Sequence, residues 1–322
     1  MSEKFTSFEH VIGKGLTPED KEKILKNQEK DFESQEFKDL KEIEKEKTPE
    51  ELEIIELANE EINKLLKKFG LREFNIPAKN IHIVPADKWP EGEEYKNTYK
   101  PMSQAITVKE EPHKTTMALE IFHEMLHFKS YASVQLKDEA EKLEEYRMGL
   151  TVQSRTEEKK TYFDNLNEGL TEELSIRFIK SLDNHSLFKD EIAETKRIIK
   201  AYPEATKDKG TAPLFTEDTY LATIASKEET EKRIVINFHT VSFHRKQERR
   251  ILNTLIDKLL ERNKNKFKSR DEILDIFTNT MLSGNIIPLG RLVDETFGRK
   301  TFSQIGELDD EIERLEKFIE GL

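Results

Sequence analysis

Two histidines four residues apart, with a glutamate after the first, are the residues best suited to chemistry in this chain: His123-Glu124-Met125-Leu126-His127. On a helix, positions i and i+4 share a face, so both imidazoles can give a nitrogen to one Zn²⁺ at about 2.0–2.1 Å. Glu124 lies about 100° round the helix from His123. It can touch a water on the metal without being a ligand, which is the place of a general base. A catalytic zinc also needs a third protein ligand and an open position for water. Asn167-Glu168-Gly169-Leu170-Thr171-Glu172 offers that ligand in Glu168. Glu172, again four residues on, can accept a hydrogen bond from the far nitrogen of a ligand histidine and so fix its tautomer. The chemistry is hydrolysis by activated water. Zinc would acidify the bound water, and Glu124 stands as the base that takes its proton.

Helices must carry both motifs. The spacing predicts one helix over residues 115–137 and another over 164–182, where Leu166, Leu170, Leu174 and Phe178 recur every fourth position. Upstream, Thr17-Pro18-Glu19-Asp20 and Thr48-Pro49-Glu50-Glu51 each place a Thr cap before a first-turn Pro and acids, which is how helices start. The second leads into Leu52, Ile55, Ala58, Ile62, Leu65 and Phe69, closed by Lys67, Lys68 and Gly70. The first, over residues 18–45, is sparse in apolar positions, so residues 1–47 read as a weakly packed arm able to lie over a cleft. Ile81-His82-Ile83-Val84-Pro85 and Ala105-Ile106-Thr107-Val108 read as short strands and as the only convincing β material. Residues 234–243 fit both a strand and a helix. The C-terminal third reads as helices, through Ile251 to Leu259, after the capping box at Ser269, and through Leu308, Ile312, Leu315 and Ile319.

Composition narrows the partners. The 65 acidic and 53 basic residues give a formal charge of −12, which repels phosphate backbones and anionic lipid. Nucleic acid and membranes are therefore not expected partners. With no cysteine, zinc must be held by nitrogen and oxygen. The first residues lack the apolar stretch of a signal peptide, and no run reaches the roughly 18 apolar residues of a spanning helix, so a cytoplasmic location is expected. A chain with 37% charged and 35% hydrophobic residues should be rich in solvated helix.

The two motifs together resemble those of the gluzincins, thermolysin-like and aminopeptidase-like zinc peptidases in which HExxH is followed by a Glu on a second helix. The resemblance covers residues 105–180. It implies a peptide or protein substrate, with His123, His127 and Glu168 as zinc ligands, Glu124 as base and proton shuttle, and Glu172 behind a ligand histidine. It further implies that Ala105–Val108 is the edge strand that binds an extended substrate. A Tyr or His is also implied as oxyanion donor, for which Tyr220 and His239 are the candidates, with Tyr162, His244 and Arg245 also available. The family pattern has Asp where Glu172 stands. The fold expected is α+β, a helix-rich zincin-like core with a small mixed sheet over residues 73–260. A charged helical segment (1–72) precedes it, and a C-terminal helical segment (261–322) follows. Two other readings keep the same motifs: a zinc hydrolase of a non-peptide amide, and an inactive zincin-like interaction protein.

Overall fold

The computed structural model describes residues 10–12, 16–31, 41–89, 97–136, 143–157, 160–201, 223–230, 233–240 and 245–322. The fold is mixed α+β and rich in helix. After strand β1 (His10–Ile12) and helix α1 (Pro18–Asp31), helix α2 (Pro49–Lys68) begins as the sequence requires. Thr48 Oγ1 accepts from the Glu51 N–H at 3.2 Å, and the Glu51 carboxylate accepts from the Thr48 N–H at 2.8 Å. Its apolar face, Ile54, Ile55, Ala58, Ile62 and Leu66, is buried. Strands β2 (Ile81–Val84), β3 (Thr98–Lys100) and β4 (Ala105–Lys109) form a three-stranded sheet in the order β2-β4-β3. β4 is parallel to β2 and antiparallel to β3, so Ala105–Val108 is a central strand and not the expected edge. All four of those residues are buried, so both faces of this strand are covered.

Helix α3 (Lys114–Lys129) carries the HExxH residues and stops well short of residue 137. The Ser130 hydroxyl donates to the Leu126 carbonyl at 2.7 Å, and the Tyr131 N–H donates to Met281 O at 3.0 Å, drawing the chain off the helix axis. It continues into β5 (Ala132–Leu136), then β6 (Leu143–Met148), β7 (Thr151–Gln153) and β8 (Thr161–Tyr162). With β1 parallel to β5 and the other pairs antiparallel, these make a five-stranded sheet that the sequence reading missed. β6, Leu-Glu-Glu-Tyr-Arg-Met, has no apolar alternation to betray it. Two described parts of the arm meet the rest of the chain. Val11 is buried in the sheet, and the Lys45 N–H donates to Ile83 O at 3.0 Å.

Helix α4 (Asp164–Ser181) carries Glu168 and Glu172, and α5 (Lys189–Ala201) follows. Strands β9 (Thr223–Thr230) and β10 (Arg233–Thr240) pair antiparallel, which resolves the ambiguous segment as strand through residue 240. Helices α6 (Lys246–Arg262), α7 (Arg270–Ser283), α8 (Ile287–Phe297), α9 (Thr301–Glu307) and α10 (Ile312–Gly321) complete the chain, so the last predicted helix is broken after Leu308. One hydrophobic cluster extends from Ile54 through α3, α4 and α6 to Ile319. Among the described residues, no helix is long and apolar enough to cross a membrane.

The two motif helices share an unusual way of starting. His113 and Phe163 precede them, and neither caps with its own side chain. Their free N–H groups are instead met by carboxylates from distant segments. Glu191 of α5 accepts from the N–H groups of Lys114 (3.1 Å) and Thr115 (3.0 Å). Asp309, between α9 and α10, accepts from those of Asp164 (2.7 Å) and Asn165 (3.0 Å). A carboxylate there answers both the unmet donors and the positive end of the helix dipole. Replacing Asp309 by Ala should lower stability by about 1–2 kcal/mol, read as a lower denaturant midpoint at unchanged slope. An unaltered midpoint would mean that water serves α4 equally well.

Candidate metal centre

α3 and α4 lie side by side deep in the chain, joined one residue before His123 by the Phe122 ring stacked on Phe178, centroids 4.2 Å apart. Both helices are buried on nearly every side, which is why neither shows a strong apolar stripe. Close approach on the far side of α4 depends on Gly169, where a Cβ would stand 2.5 Å from the backbone carbonyl oxygen of Glu248 in α6. Asn167 sits beneath, its Oδ1 accepting from the Leu150 N–H at 2.9 Å. Thus the residues flanking Glu168 are spent on packing α4 against its neighbours.

This packing brings His123, His127 and Glu168 together. The two Nε2 atoms face each other at 3.2 Å, Glu168 Oε2 lies 3.4 Å from His123 Nε2, and Glu168 Oε1 lies 3.4 Å from His127 Nε2. Ligands about 2.0–2.1 Å from a tetrahedral zinc stand about 3.3 Å from one another. Each imidazole Nε2 therefore stands at zinc-ligand spacing from the other and from one oxygen of Glu168, and the N₂O donor set suits divalent transition ions generally. None of the three residues is more than 8% exposed. Glu172 Oε2 lies 3.7 Å from His123 Nδ1, on the side of the ring away from the other donor groups, too far for a formed hydrogen bond but facing it. His127 Nδ1 has no hydrogen-bond partner among the described residues. Glu124, 6% exposed, accepts from the backbone N–H of Tyr99 in β3.

Burial and charge set the protonation of these groups. Burial works against the charged form of His123, but the carboxylates of Glu168 and Glu172 outweigh it and hold this imidazole well above the usual histidine range. His127 has one carboxylate, not two, and feels the positive charges of His123 and Arg245, so burial prevails and brings it down to about 4. Burial also raises Glu124, to about 7, with Glu120 and Glu168 adding repulsion. Burial pushes Glu168 the same way, yet the two imidazoles and the Arg245 guanidinium hold it far below the carboxylate range.

The structure thus gathers His123, Glu124, His127, Glu168 and Glu172. Tyr220 lies outside the described residues. His239 stands on β10 opposite Ile224, with its side chain likewise outside the description. Sequence reasoning did not find the Tyr99 N–H, nor Asn97, which bridges the α3 carboxylate of Glu120 (2.6 Å) and the Lys109 N–H (2.7 Å). Backbone donors and loop asparagines carry no spacing signal. Arg245 approaches Glu168 Oε2 at 3.1 Å, across 77 positions of sequence. No protein-family model matches this chain, and neither the curated proteins nor the solved structures compared with it give a match.

A second pair of carboxylates flanks the centre. Asp164, one turn before Glu168, is raised to about 6 by burial, with Glu168 and Asp309 adding. Glu145 on β6 is raised from the ordinary 4.5 to about 7 by burial, with Asp164 adding. Between those two values the folded chain keeps a proton on Glu145 that the unfolded chain has lost, so this group costs stability increasingly as pH rises through the window. Glu145→Gln should therefore match the parent near pH 4.5 and exceed it by roughly 1–3 kcal/mol at pH 8. Equal stability at both pH values, by chemical denaturation, would refute the raised pKa of this carboxylate.

Proposed function

We propose that this chain is a zinc-dependent hydrolase of the gluzincin type that cleaves peptide bonds. The observation that carries this reading is the convergence of the His123 and His127 Nε2 atoms, 3.2 Å apart, on the Glu168 carboxylate, one oxygen of which lies 3.4 Å from each, with Glu124 on the same helix. Zinc bound there would polarise a carbonyl and acidify water. The protein's own share of the work follows from the surroundings of each side chain. Glu124, next to His123 on the same helix, would take a proton from bound water and release it again, as a base that later serves as an acid must. The Tyr99 N–H keeps that carboxylate from swinging away. Glu172 faces the far nitrogen of His123 and orients its ring. The outer edge of β3, beside Glu124, takes over the substrate-binding role that the resemblance gave to residues 105–108, because an extended peptide can add to an edge strand through main-chain hydrogen bonds. Tyr220 and His239 stay as the candidates for the oxyanion donor.

The test is zinc content and peptide hydrolysis measured on the same preparations. The parent protein should hold one zinc per chain, and His123→Ala and Glu168→Ala should lose it. Glu124→Gln should keep the zinc and lose turnover on a peptide library by about 100-fold or more. A parent protein that takes up no zinc, or a Glu124→Gln variant as active as its parent, would end this reading.

A further inference from the structure

Arg245 stands immediately before α6, with its Nη2 3.1 Å from Glu168 Oε2 and its Nη1 3.9 Å from Glu248 Oε1. The guanidinium approaches Glu168 off the N–H axis, so the contact is an ion pair and not a formed hydrogen bond. The helix start that carries it is fixed by packing. The first turn of α6 touches α4 at Gly169, backbone against Cα, one residue after Glu168. Glu173 then ties the two helices together, accepting from Arg249 at 2.8 Å and from Asn253 at 3.3 Å.

From this arrangement we infer that Arg245 is a positioning residue for the metal ligand Glu168: it pairs with Oε2, the oxygen that also stands 3.4 Å from His123 Nε2, and leaves Oε1, 3.4 Å from His127 Nε2, as the oxygen free of a cation to bind an ion. This rests on the metal-site reading above and goes beyond it, because it assigns how the third ligand binds. A carboxylate free on both oxygens can wrap a divalent ion with two bonds and raise its coordination number. One held through Oε2 by a fixed cation gives a single bond, which keeps a position open for water and substrate. The charge does the holding, so lysine should substitute in part and a neutral side chain should not. Charge alone makes the opposite forecast for affinity. Removing a cation close to a divalent ion relieves repulsion and should tighten binding. The direction of the change therefore separates positioning from mere charge balance.

The experiment uses the full chain loaded with Co²⁺, whose visible spectrum is intense when four-coordinate and weak when five-coordinate. The parent, Arg245→Gln and Arg245→Lys are titrated with cobalt against a chelator, and the melting temperature of each metal-free sample establishes that it is folded. Expected are an intense spectrum for the parent, a 10- to 100-fold weaker affinity (roughly the usual effect of losing a partner of a ligand) with a weakened spectrum for Arg245→Gln, and recovery of the intense spectrum in Arg245→Lys. Unchanged or tighter cobalt binding by Arg245→Gln, with the parental spectrum, would overturn the role of Arg245 and leave the metal site standing. A parent that binds no cobalt would overturn both.

Discussion

An ionised carboxylate in the interior of a protein is stable only if positive or hydrogen-bonding groups meet it there, because desolvation of a lone buried charge costs several kcal/mol or more. Glu168 imposes that condition on this fold. Its partners are His123 and His127 from one helix and Arg245 from the start of another, so three separate segments must arrive at one point. Much of the surrounding packing can be traced to that convergence. The Phe122–Phe178 stack sets the distance from α3 to α4, Gly169 admits α6 at backbone contact, and Asn167 secures the turn below.

The convergence would be imprecise if the motif helices could slide or fray at their starts. Both starts are pinned by groups far away in sequence. Glu191 reaches α3 from α5, and Asp309 reaches α4 from the C-terminal helices, itself buried. A local Ser or Thr cap would have let each helix form early and independently. Remote caps make the helix starts conditional on the assembled core, so the parts of the chain outside the motif region contribute to the placement of its donor atoms.

What could be read from the sequence divides along the same line between local and distant causes. The Thr48 capping box and the i, i+4 pairs His123/His127 and Glu168/Glu172 lie within one or two turns of each other, and the structure brings each together; the α2 stripe holds at Ile55, Ala58 and Ile62, but Leu52 is exposed and Ile54 and Leu66 complete the buried face. The fold class was legible because long helices and the strands Ile81–Val84 and Ala105–Lys109 have strong local patterns. The five-stranded sheet was not, because β6 is half-buried and charged and gains its identity from pairing with β5 and β7. Nor was the order β2-β4-β3, which makes the apolar Ala105–Val108 segment central and leaves the less apolar β3 at the edge. The end of α3 was misplaced since Met281, which draws Tyr131 away, lies on α7. Glu168 as a partner of Arg245 is invisible for the same reason: no periodicity links them.

The acids around the centre show how one feature serves against stability and for binding. Glu120, Glu124, Asp164 and Glu145 all have raised pKa values with burial as the first cause, so they lie in surroundings that resist their ionisation. Glu168 escapes only through its positive neighbours. Those neighbours are few, and His127 is itself pushed toward neutrality, so the protein's own cations do not balance the acids that face them. Replacing this polar group by apolar side chains would relieve the imbalance and favour folding. A divalent cation among the same groups would relieve it too, by supplying the missing positive charge where two imidazole nitrogens and a carboxylate already stand at ligand spacing. The interior is therefore arranged at a cost that a bound ion would offset, and an apolar core would have no use for these three groups.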